Sequence, residues 1–354
     1  MSIFKSLSKS PFTRVITHRG AQIRKARPED GLPDHVKFVI HPENTMAAFE
    51  ESLNRGHDIE LDVNTNGADS FKRDGKIVEH GGKPVPFLPI FHDDYLGTLP
   101  TMGHLNGKGN PFKAPSALRS NQWLRYLPTK VIQNAKLDVE GFAERMLYKV
   151  GNAEETNPNN SKKIVVLDTS EKASRIPTLD EAFTLLKLYP ERKAFVELKT
   201  LTIGYDEDFK GLAQKVVDLI QHMGVEKQVT VLGFNRYILE EASAYAKQKG
   251  LKHLKLAYDV EPDSYLNAPR TRPETLGWAK KHVHVVLPWY REITKDFVDS
   301  AHSLGLKVIP YPWPETREQE KIEIKRAFKN GVDAVVSNIP SDAEEILGKQ
   351  KKRA

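Results

Sequence analysis

The sequence predicts an α/β fold, a TIM-type (β/α)₈ barrel with an inserted subdomain after an early strand. Short β-rich runs alternate with helical patterns, which is typical of βα units and a parallel sheet. Nine candidate strands occur, close to the eight that a barrel requires. The length of 354 residues, with 39% hydrophobic and 28% charged residues, suits one large barrel with insertions. An open, doubly wound sheet is the alternative.

The candidate strands are short and rich in β-branched and aromatic residues. They cover residues 15–18, 59–63, 89–92, 194–198, 229–234, 254–259, 283–287, 306–309 and 332–337. One of the nine is surplus to a barrel. Because the region 59–94 contains no helical pattern, we expect the surplus strand to be a hairpin partner there.

Helical patterns lie between these strands and end at glycines, which favour the left-handed backbone at a helix end. Asn44 or Thr45 can cap the first helix, which ends near Gly56. Three further amphipathic stretches end at Gly224, Gly250 and Gly305.

Residues 95–163 break this alternation. The stretch contains many glycines and prolines, a helical pattern around 138–150 and the polar run GNAEETNPNNSKK. A structureless loop of this length is unusual inside a compact domain. We therefore expect a single domain over residues 1–354 with an insertion at 95–163.

The composition excludes several classes of site. There is no cysteine, so disulfides, thiolate nucleophiles and Zn–Cys sites are absent and any metal binds oxygen or imidazole. The net charge of +6 is dispersed, without the basic stripe that nucleic-acid binding requires. No apolar run approaches the roughly 18 residues of a membrane span, and no sustained apolar stretch follows Met1, so a cytoplasmic location is expected. The sequence does not determine an oligomeric state.

Two carboxylates stand out in the second predicted barrel strand. Glu60 and Asp62 lie two positions apart, so both side chains point to one face. In a barrel this face is the interior, near the C-terminal rim where active sites gather. Two unpaired buried charges are very costly, and a hard divalent cation resolves their repulsion. An exposed edge strand with two solvated acids is the alternative.

A third carboxylate, Glu197, shares one face of a later strand with Lys199. If Glu197 converges on Glu60 and Asp62, the three form an all-oxygen site for Mg²⁺ or Ca²⁺, with water as the remaining ligands. Lys199 could then meet a phosphate oxygen. A buried Glu–Lys ion pair is the alternative.

Two histidines end predicted strands. His18 and Arg19 come directly before Gly20, which permits a sharp turn that leaves both side chains at the rim. Arginine has the forked geometry that suits phosphate, and histidine exchanges protons near neutral pH. His92 ends another strand before Asp93. The two histidines could serve as general acid and base for displacement at phosphorus; a purely structural histidine is the alternative for each.

Five motifs occur in order at these strand ends, and the combination resembles the glycerophosphodiester phosphodiesterase family. They are His-Arg-Gly (18–20), Pro-Glu-Asn-Thr (42–45), Glu-x-Asp (60–62), His-Asp (92–93) and Glu-Leu-Lys (197–199). The resemblance runs from residue 15 to about 340 and takes in Leu-Gly-Phe (232–234) and Gly-Val-Asp-Ala-Val-Val-Ser-Asn (331–338). The stretch 95–163 has no counterpart.

The resemblance implies a TIM-type barrel that hydrolyses glycerophosphodiesters to glycerol 3-phosphate and an alcohol. It implies a small-molecule phosphodiester substrate and one divalent cation, Mg²⁺ or Ca²⁺. By similarity, the metal ligands are Glu60, Asp62 and Glu197, and the acid/base pair is His18 and His92. Arg19 and Lys199 would bind the phosphate, and Glu43 would orient the metal ligands. Tyr311 or Trp313 would supply an aromatic wall for the alcohol.

The chain departs from the family pattern in several places. Residues 21–41 separate two motifs that are usually close together, and the long connection to His92 contains His80 as a competing candidate. His92 is preferred because an apolar run precedes it and an aspartate follows it. Near the end of the chain, Ser337-Asn338 replaces the usual Thr-Asp, and Tyr311-Pro312-Trp313-Pro314 stands in place of the usual tryptophan motif.

Three alternative functions remain open at this point. A lysophospholipase D or a cyclising lyase would use the same phosphodiester chemistry, and the lengthened loops at the rim would reshape the pocket. A catalytically silent, phosphate-binding barrel is a different class. The presence of every carboxylate and histidine that the family pattern requires argues against it.

Overall fold

The computed structural model describes residues 15–65, 68–90, 165–168, 170–199, 211–260, 272–312 and 316–351. The strands in chain order are β1 (Val15–Thr17), β2 (Ile23–Lys25), β3 (Phe38–Ile40), β4 (Asp58–Val63), β5 (Lys72–Arg73), β6 (Lys76–Ile77), β7 (Glu79–His80), β8 (Lys83–Pro84), β9 (Val165–Leu167), β10 (Ala194–Leu198), β11 (Val229–Gly233), β12 (Lys255–Val260), β13 (Val285–Pro288), β14 (Lys307–Val308) and β15 (Val335–Ser337). The α-helices are α1 (Met46–Asn54), α2 (Glu171–Ser174), α3 (Leu179–Lys187), α4 (Leu212–Met223), α5 (Arg236–Gln248), α6 (Arg272–His282), α7 (Lys295–Ser303), α8 (Arg317–Lys329) and α9 (Pro340–Lys351).

Eight parallel strands form the central sheet, in the order β14-β13-β12-β11-β10-β4-β1-β15. This order follows the chain around the sheet. The two edge strands are joined by backbone hydrogen bonds, from Asp333 N–H to the Val308 carbonyl (2.9 Å) and from Val336 N–H to the Pro310 carbonyl (3.0 Å). The sheet therefore closes. The TIM-type prediction is confirmed, and the open doubly wound alternative is wrong.

Alternation along the strands divides the apolar residues into two cores. The smaller core fills the barrel with inward-facing side chains: Ile16, Phe195, Leu232, Ala257, Val285, Leu287, Ile309, Tyr311, Ala334 and Val336. The larger core lies between the outward strand faces and the helices, and includes Ile59, Leu61 and Val63 of β4. Residues that alternate with these three on β4 therefore point into the barrel.

The helices begin and end where the local sequence predicts. Thr45 caps α1 by accepting a hydrogen bond from Ala48 N–H, and Gly224 ends α4 in the left-handed conformation with φ 70°. Gly250 and Gly305 lie just past the ends of α5 and α7. These four helix positions match the sequence prediction.

A second, three-stranded sheet lies beside the barrel. We call it the accessory sheet: β2 pairs antiparallel with β3, and β3 pairs parallel with β9. The hairpin of β2 and β3 is built from residues 21–41, and β9 comes from the chain just after 163. Sequence patterns did not predict any of these three strands. Each is short, and β9 pairs with a strand that lies far earlier in the chain.

Of the candidate strand at 89–92, the structure describes residues 89 and 90, and these two do not belong to the eight-stranded sheet. Ile90 forms an isolated antiparallel bridge with Val63, and Pro89 forms one with Thr178. A partner for β4 in this region was expected, and the bridge to Val63 agrees with that expectation. Two short hairpins, β5–β6 and β7–β8, precede it. The predicted insertion at 95–163 and His92 lie outside the described residues, so the domain prediction stays a prediction.

None of the helices among the described residues combines the length and the apolar composition needed to cross a membrane.

Candidate active site

The C-terminal ends of β1, β4 and β10 bring together the predicted carboxylates. Glu60 and Asp62 lie opposite Phe195 and Glu197 in the register of β4 and β10. Phe195 belongs to the core inside the barrel, so Glu60, Asp62 and Glu197 also face inward. The prediction that these side chains share the interior face of the rim is confirmed in its geometry.

Three carboxylates form a buried cluster. Glu60, Asp62 and Glu197 are 4%, 0% and 8% exposed. Each offers one oxygen atom, and these atoms all lie within 4.8 Å of one another. Like charges held this close in a low-dielectric site repel strongly. The cluster is therefore stable only with positive charge beside it.

Two basic side chains supply part of that charge. Arg19 Nη1 lies 2.8 Å from Glu43 Oε1, and Arg19 Nε lies 3.2 Å from Asp62 Oδ2. Lys199 Nζ lies 3.0 Å from Asp62 Oδ1 and 2.8 Å from Glu197 Oε1. The ion pair between Glu197 and Lys199 was the alternative to a metal role for Glu197. It is present, but it is part of a larger cluster.

The described contacts place four carboxyl groups beside two basic side chains. We call this group the rim site: Arg19, Glu43, Glu60, Asp62, Glu197 and Lys199. Burial and the neighbouring charges of Asp62 and Glu197 raise the pKa of Glu60 well above its usual range. Burial lowers the pKa of Arg19, but the carboxylates around it raise this pKa by more. Arg19 therefore stays charged. The rim site has an excess of negative charge.

The backbone at the end of β1 is strained in a way that serves the site. Arg19 has φ 57° and Gly20 has φ 85°, both in the left-handed region. A Cβ on Gly20 would lie 2.7 Å from the Cβ of Ala48, so only glycine fits. The turn aims Arg19 N–H at Glu60 Oε2, with a distance of 2.8 Å. Strain of this kind is retained where it positions functional groups.

Asn44 is a site residue that sequence reasoning named only as a possible helix cap. Its Nδ2 donates to Asp62 Oδ2 (2.7 Å), and its Oδ1 accepts from Asp62 N–H (3.2 Å). Asn44 also has a left-handed backbone, with φ 56°, which asparagine tolerates better than most residues. Its place in the Pro-Glu-Asn-Thr motif was the available signal. The structure gives the capping role to Thr45 and the carboxylate-holding role to Asn44.

His18 lies at the edge of the rim site. Its Nε2 is 4.0 Å from Glu60 Oε2, and its Nδ1 is 2.8 Å from Asn338 Oδ1. Asn338 in turn contacts Glu320. Glu320 was not identified from the sequence, since no local pattern relates it to a residue 18 positions away.

The other histidine candidate, His80, lies elsewhere. Its Nε2 is 3.7 Å from Asp180 Oδ2 on α3, and its carbonyl contacts His222 on α4. His80 therefore packs against the outer helices and not against the carboxylate cluster. This removes the competitor of His92, although His92 itself lies outside the described residues.

The aromatic candidate Tyr311 lies in the opposite half of the barrel. Tyr311 is 9% exposed, its ring centroid is 5.8 Å from that of Phe234, and its hydroxyl donates to the Val260 carbonyl at 3.4 Å. Trp313 lies outside the described residues. Tyr311 thus stands at the rim, across the barrel from the carboxylates.

Comparison with known proteins connects this geometry to one family. The sequence model described as "Glycerophosphoryl diester phosphodiesterase family" matches residues 18–341. A glycerophosphodiester phosphodiesterase of Bacillus altitudinis is 25% identical over 323 residues, which cover 88% of this chain and 95% of the relative.

Solved structures show the same fold. A candidate glycerophosphoryl diester phosphodiesterase from Silicibacter pomeroyi superposes with a TM-score of 0.63 at 19% identity, covering 96% of this chain and 94% of its own. An Oleispira antarctica phosphodiesterase in complex with the product sn-glycerol-3-phosphate superposes with a TM-score of 0.53 at 18% identity, covering 95% and 97%.

Proposed function

Because the chain belongs to the glycerophosphoryl diester phosphodiesterase family, we propose that it hydrolyses a glycerophosphodiester to glycerol 3-phosphate and an alcohol. The observation that carries this proposal is the buried cluster of Glu60, Asp62 and Glu197, with Arg19 and Lys199 beside it. The structure of the Oleispira antarctica relative with sn-glycerol-3-phosphate supports the product class.

The donor set of the rim site fits a hard divalent cation. All three ligand candidates are carboxylates. Because a Ca–O distance is about 2.3–2.6 Å, two oxygen ligands on opposite sides of Ca²⁺ would lie roughly 4.6–5.2 Å apart. The oxygen atoms here lie within 4.8 Å of one another, and Mg²⁺ would require a slightly tighter arrangement. A bound cation would also offset the repulsion among the three carboxylates that raises the pKa of Glu60. When bound, such an ion would offset charge on the phosphoryl oxygens.

Arg19 and Lys199 are proposed to bind the phosphate. Arg19 Nη1 donates to Glu43 Oε1, and Arg19 Nε lies 3.2 Å from Asp62 Oδ2. A guanidinium has five N–H donors in a fixed fork, so Arg19 can keep these contacts and still donate to a phosphate oxygen. Lys199 Nζ is held between Asp62 and Glu197. An ammonium group has three donors, so Lys199 can keep these contacts and still donate to the substrate. Both groups would stabilise charge that develops in the transition state.

His18 and His92 are proposed as the acid/base pair. His18 presents Nε2 toward the rim site. For His92 the support is chain reach: Ile90 is bridged to Val63, the residue after Asp62, and two residues of extended chain span about 7 Å. One histidine would assist the attacking water, and the other would protonate the leaving alkoxide.

Tyr311 or Trp313 is proposed to line the place of the alcohol. Tyr311 and Phe234 form an aromatic edge on the half of the rim that faces the carboxylates. Glu43, which contacts Arg19, would orient the phosphate-binding guanidinium.

The proposal is tested by turnover of defined diesters. Glycerophosphocholine, glycerophosphoethanolamine, bis(p-nitrophenyl) phosphate and a lysophospholipid are each incubated with the protein in Mg²⁺, in Ca²⁺ and in chelator. We expect cation-dependent release of glycerol 3-phosphate from at least one glycerophosphodiester. Lack of turnover under every condition would contradict the enzyme assignment. A cyclic phosphate as the final product would indicate a lyase, and turnover of the lysophospholipid alone would indicate a lysophospholipase D.

A further inference from the structure

A line of hydrogen bonds leads from His18 away from the rim site into the barrel wall. His18 Nδ1 lies 2.8 Å from Asn338 Oδ1. Asn338 Nδ2 donates to Glu320 Oε2 at 3.2 Å. Asn338 is 5% exposed and Glu320 is fully buried. None of the proposed metal or phosphate contacts uses these two residues.

Glu320 determines the orientation of the Asn338 amide. An ionised carboxylate only accepts hydrogen bonds, and Glu320 Oε1 accepts from Ser337 Oγ (2.7 Å) and from Asn338 N–H (2.8 Å). The amide nitrogen of Asn338 must therefore face Glu320, which leaves the amide oxygen facing His18.

The amide oxygen in turn determines the tautomer of His18. An amide oxygen cannot donate, so the ring nitrogen facing it, Nδ1, must carry the hydrogen. Nε2 is then the nitrogen whose protonation can change, and it faces Glu60 in the rim site. In the protonated ring both nitrogens carry hydrogen, and the contact between Nδ1 and Asn338 is unchanged.

We propose that Asn338 and Glu320 are positioning residues that hold the Nδ1–H tautomer of His18, so that His18 exchanges its proton at Nε2 alone. This inference rests on the proposed phosphodiesterase function of the rim site. When His18 acts as the base, an O–H bond of the attacking water breaks, the proton forms the Nε2–H bond and the water oxygen forms a new bond to phosphorus. When His18 acts as the acid, the P–O bond to the alcohol breaks, the leaving oxygen takes that bond's electron pair and the Nε2 proton moves to this oxygen.

The contact orients the ring and is not needed to hold the backbone. His18 N–H donates to the Ser337 carbonyl at 3.0 Å, and Gln22 Nε2 donates to the His18 carbonyl at 2.7 Å. These two bonds anchor the main chain without touching the imidazole. Removal of the Asn338 amide therefore frees the ring while the strand end stays in place.

The tautomer can be read directly from ¹⁵N NMR of the histidine rings. Labelled protein is measured without metal or substrate at pH about 8.5, some two units above the ordinary histidine pKa of roughly 6.5, and the His18 signals are assigned by their loss in His18→Gln. We expect a protonated Nδ1 and an unprotonated Nε2. Asn338→Leu should abolish this preference. Ser337→Ala is the matched control, since it removes a donor to Glu320 but keeps the Asn338 amide, and should leave the tautomer unchanged.

A second variant tests the relay without a change in size. Glu320→Gln places an amide opposite Asn338, and its NH₂ group can turn the Asn338 amide so that nitrogen faces His18. We expect a rise in the Nε2–H tautomer. In steady-state kinetics, both variants should lower kcat roughly ten- to hundredfold, the usual effect of losing an orienting partner, with KM changed less than about twofold.

The outcomes separate this inference from the proposed function. An unprotonated Nδ1 in the wild-type protein, or an unchanged tautomer in both variants, would overturn the relay. If Asn338→Leu does not fold, the Glu320→Gln spectrum decides. If the wild type cleaves no diester but its tautomer responds to both variants, the relay stands and the proposed function fails.

Discussion

Carboxylates meet arginine and histidine in two neighbouring parts of this protein, the rim site and the accessory sheet. In the accessory sheet, Arg24 forms a bidentate ion pair with Asp30. Arg24 Nη1 donates to Oδ2 and Arg24 Nη2 donates to Oδ1, each at 2.7 Å. His41 Nδ1 lies 2.8 Å from Asp168 Oδ2, and His41 Nε2 accepts from Arg24 Nε at 3.3 Å. Here each of these four side chains contacts another of the four.

The pKa values of the two regions move in opposite directions. The hydrogen bond from Arg24 lowers the pKa of Asp30 to about 2. Burial raises the pKa of Asp168, but hydrogen bonds from His41 and the Ser170 backbone outweigh it and lower the pKa to about 2. In the rim site, burial and the surplus of acids raise the pKa of Glu60. Matched charges hold a structure together, whereas a surplus of one sign prepares a site for a ligand of the other.

The largest expected difference between the regions is in catalysis. His18→Ala should lower kcat/KM at least roughly a hundredfold, because it removes a general acid/base. His41→Ala should lower it less than about tenfold, since both ring nitrogens of His41 are already engaged. Both values of kcat/KM are measured by steady-state kinetics with the diester that the wild-type protein turns over best. Near-normal activity of His18→Ala would refute its role.

Loss of a proposed metal ligand should be equally damaging to turnover. Glu60→Ala is expected to cost at least roughly a hundredfold in kcat/KM if Glu60 holds the cation. Glu50→Ala on the neighbouring helix is a suitable control. It removes an exposed ion pair with Lys172 and should leave activity unchanged.

The response of stability to cations should be smaller but equally distinctive. Mg²⁺ or Ca²⁺ at about ten times its dissociation constant should stabilise the wild-type protein by about 1.4 kcal/mol. Glu60→Gln should abolish this gain. A carboxyl whose folded pKa is raised destabilises the fold above its unfolded pKa, so Glu60→Gln in chelator should unfold no more easily than wild type. Urea unfolding with and without cation measures both. Full cation stabilisation of Glu60→Gln would contradict the assigned ligand role.

The smallest expected effect is the loss of one matched pair in the accessory sheet. Asp168→Asn should lower the free energy of unfolding by about 1 kcal/mol at pH 7. Because the folded pKa of Asp168 is about 2 and the unfolded value is roughly 3.9, its contribution is present above pH about 4 and is lost as the pH falls toward 2. The difference between wild type and Asp168→Asn should therefore shrink over that window. A difference independent of pH would show that the pair does not stabilise the fold electrostatically.

Much of the barrel and the core of its site could be predicted from local sequence. The alternation of Glu60 and Asp62 with apolar neighbours was enough to place both carboxylates on one face, because side-chain direction in a strand has a period of two. The turn at the end of β1, His18-Arg19-Gly20, could also be predicted, because the left-handed backbone there requires glycine. The accessory sheet could not be predicted, because its strands are short and are stabilised by pairing with one another. Two of them, β3 and β9, lie more than a hundred residues apart in the chain.

The sequence by itself determined the fold class, the inward faces of the strands and the residue types of the rim site, all of which depend on spacings of a few residues. Only the tertiary structure decided which groups meet. It brought Glu197 and Lys199 to Asp62 and gave Asn44 a role at Asp62. It also connected His18 at the end of β1 to Asn338 at the end of β15 and to Glu320 on α8. The physical reason is that these contacts join residues far apart in the chain, and their distances follow from strand register and barrel closure, which no local pattern encodes.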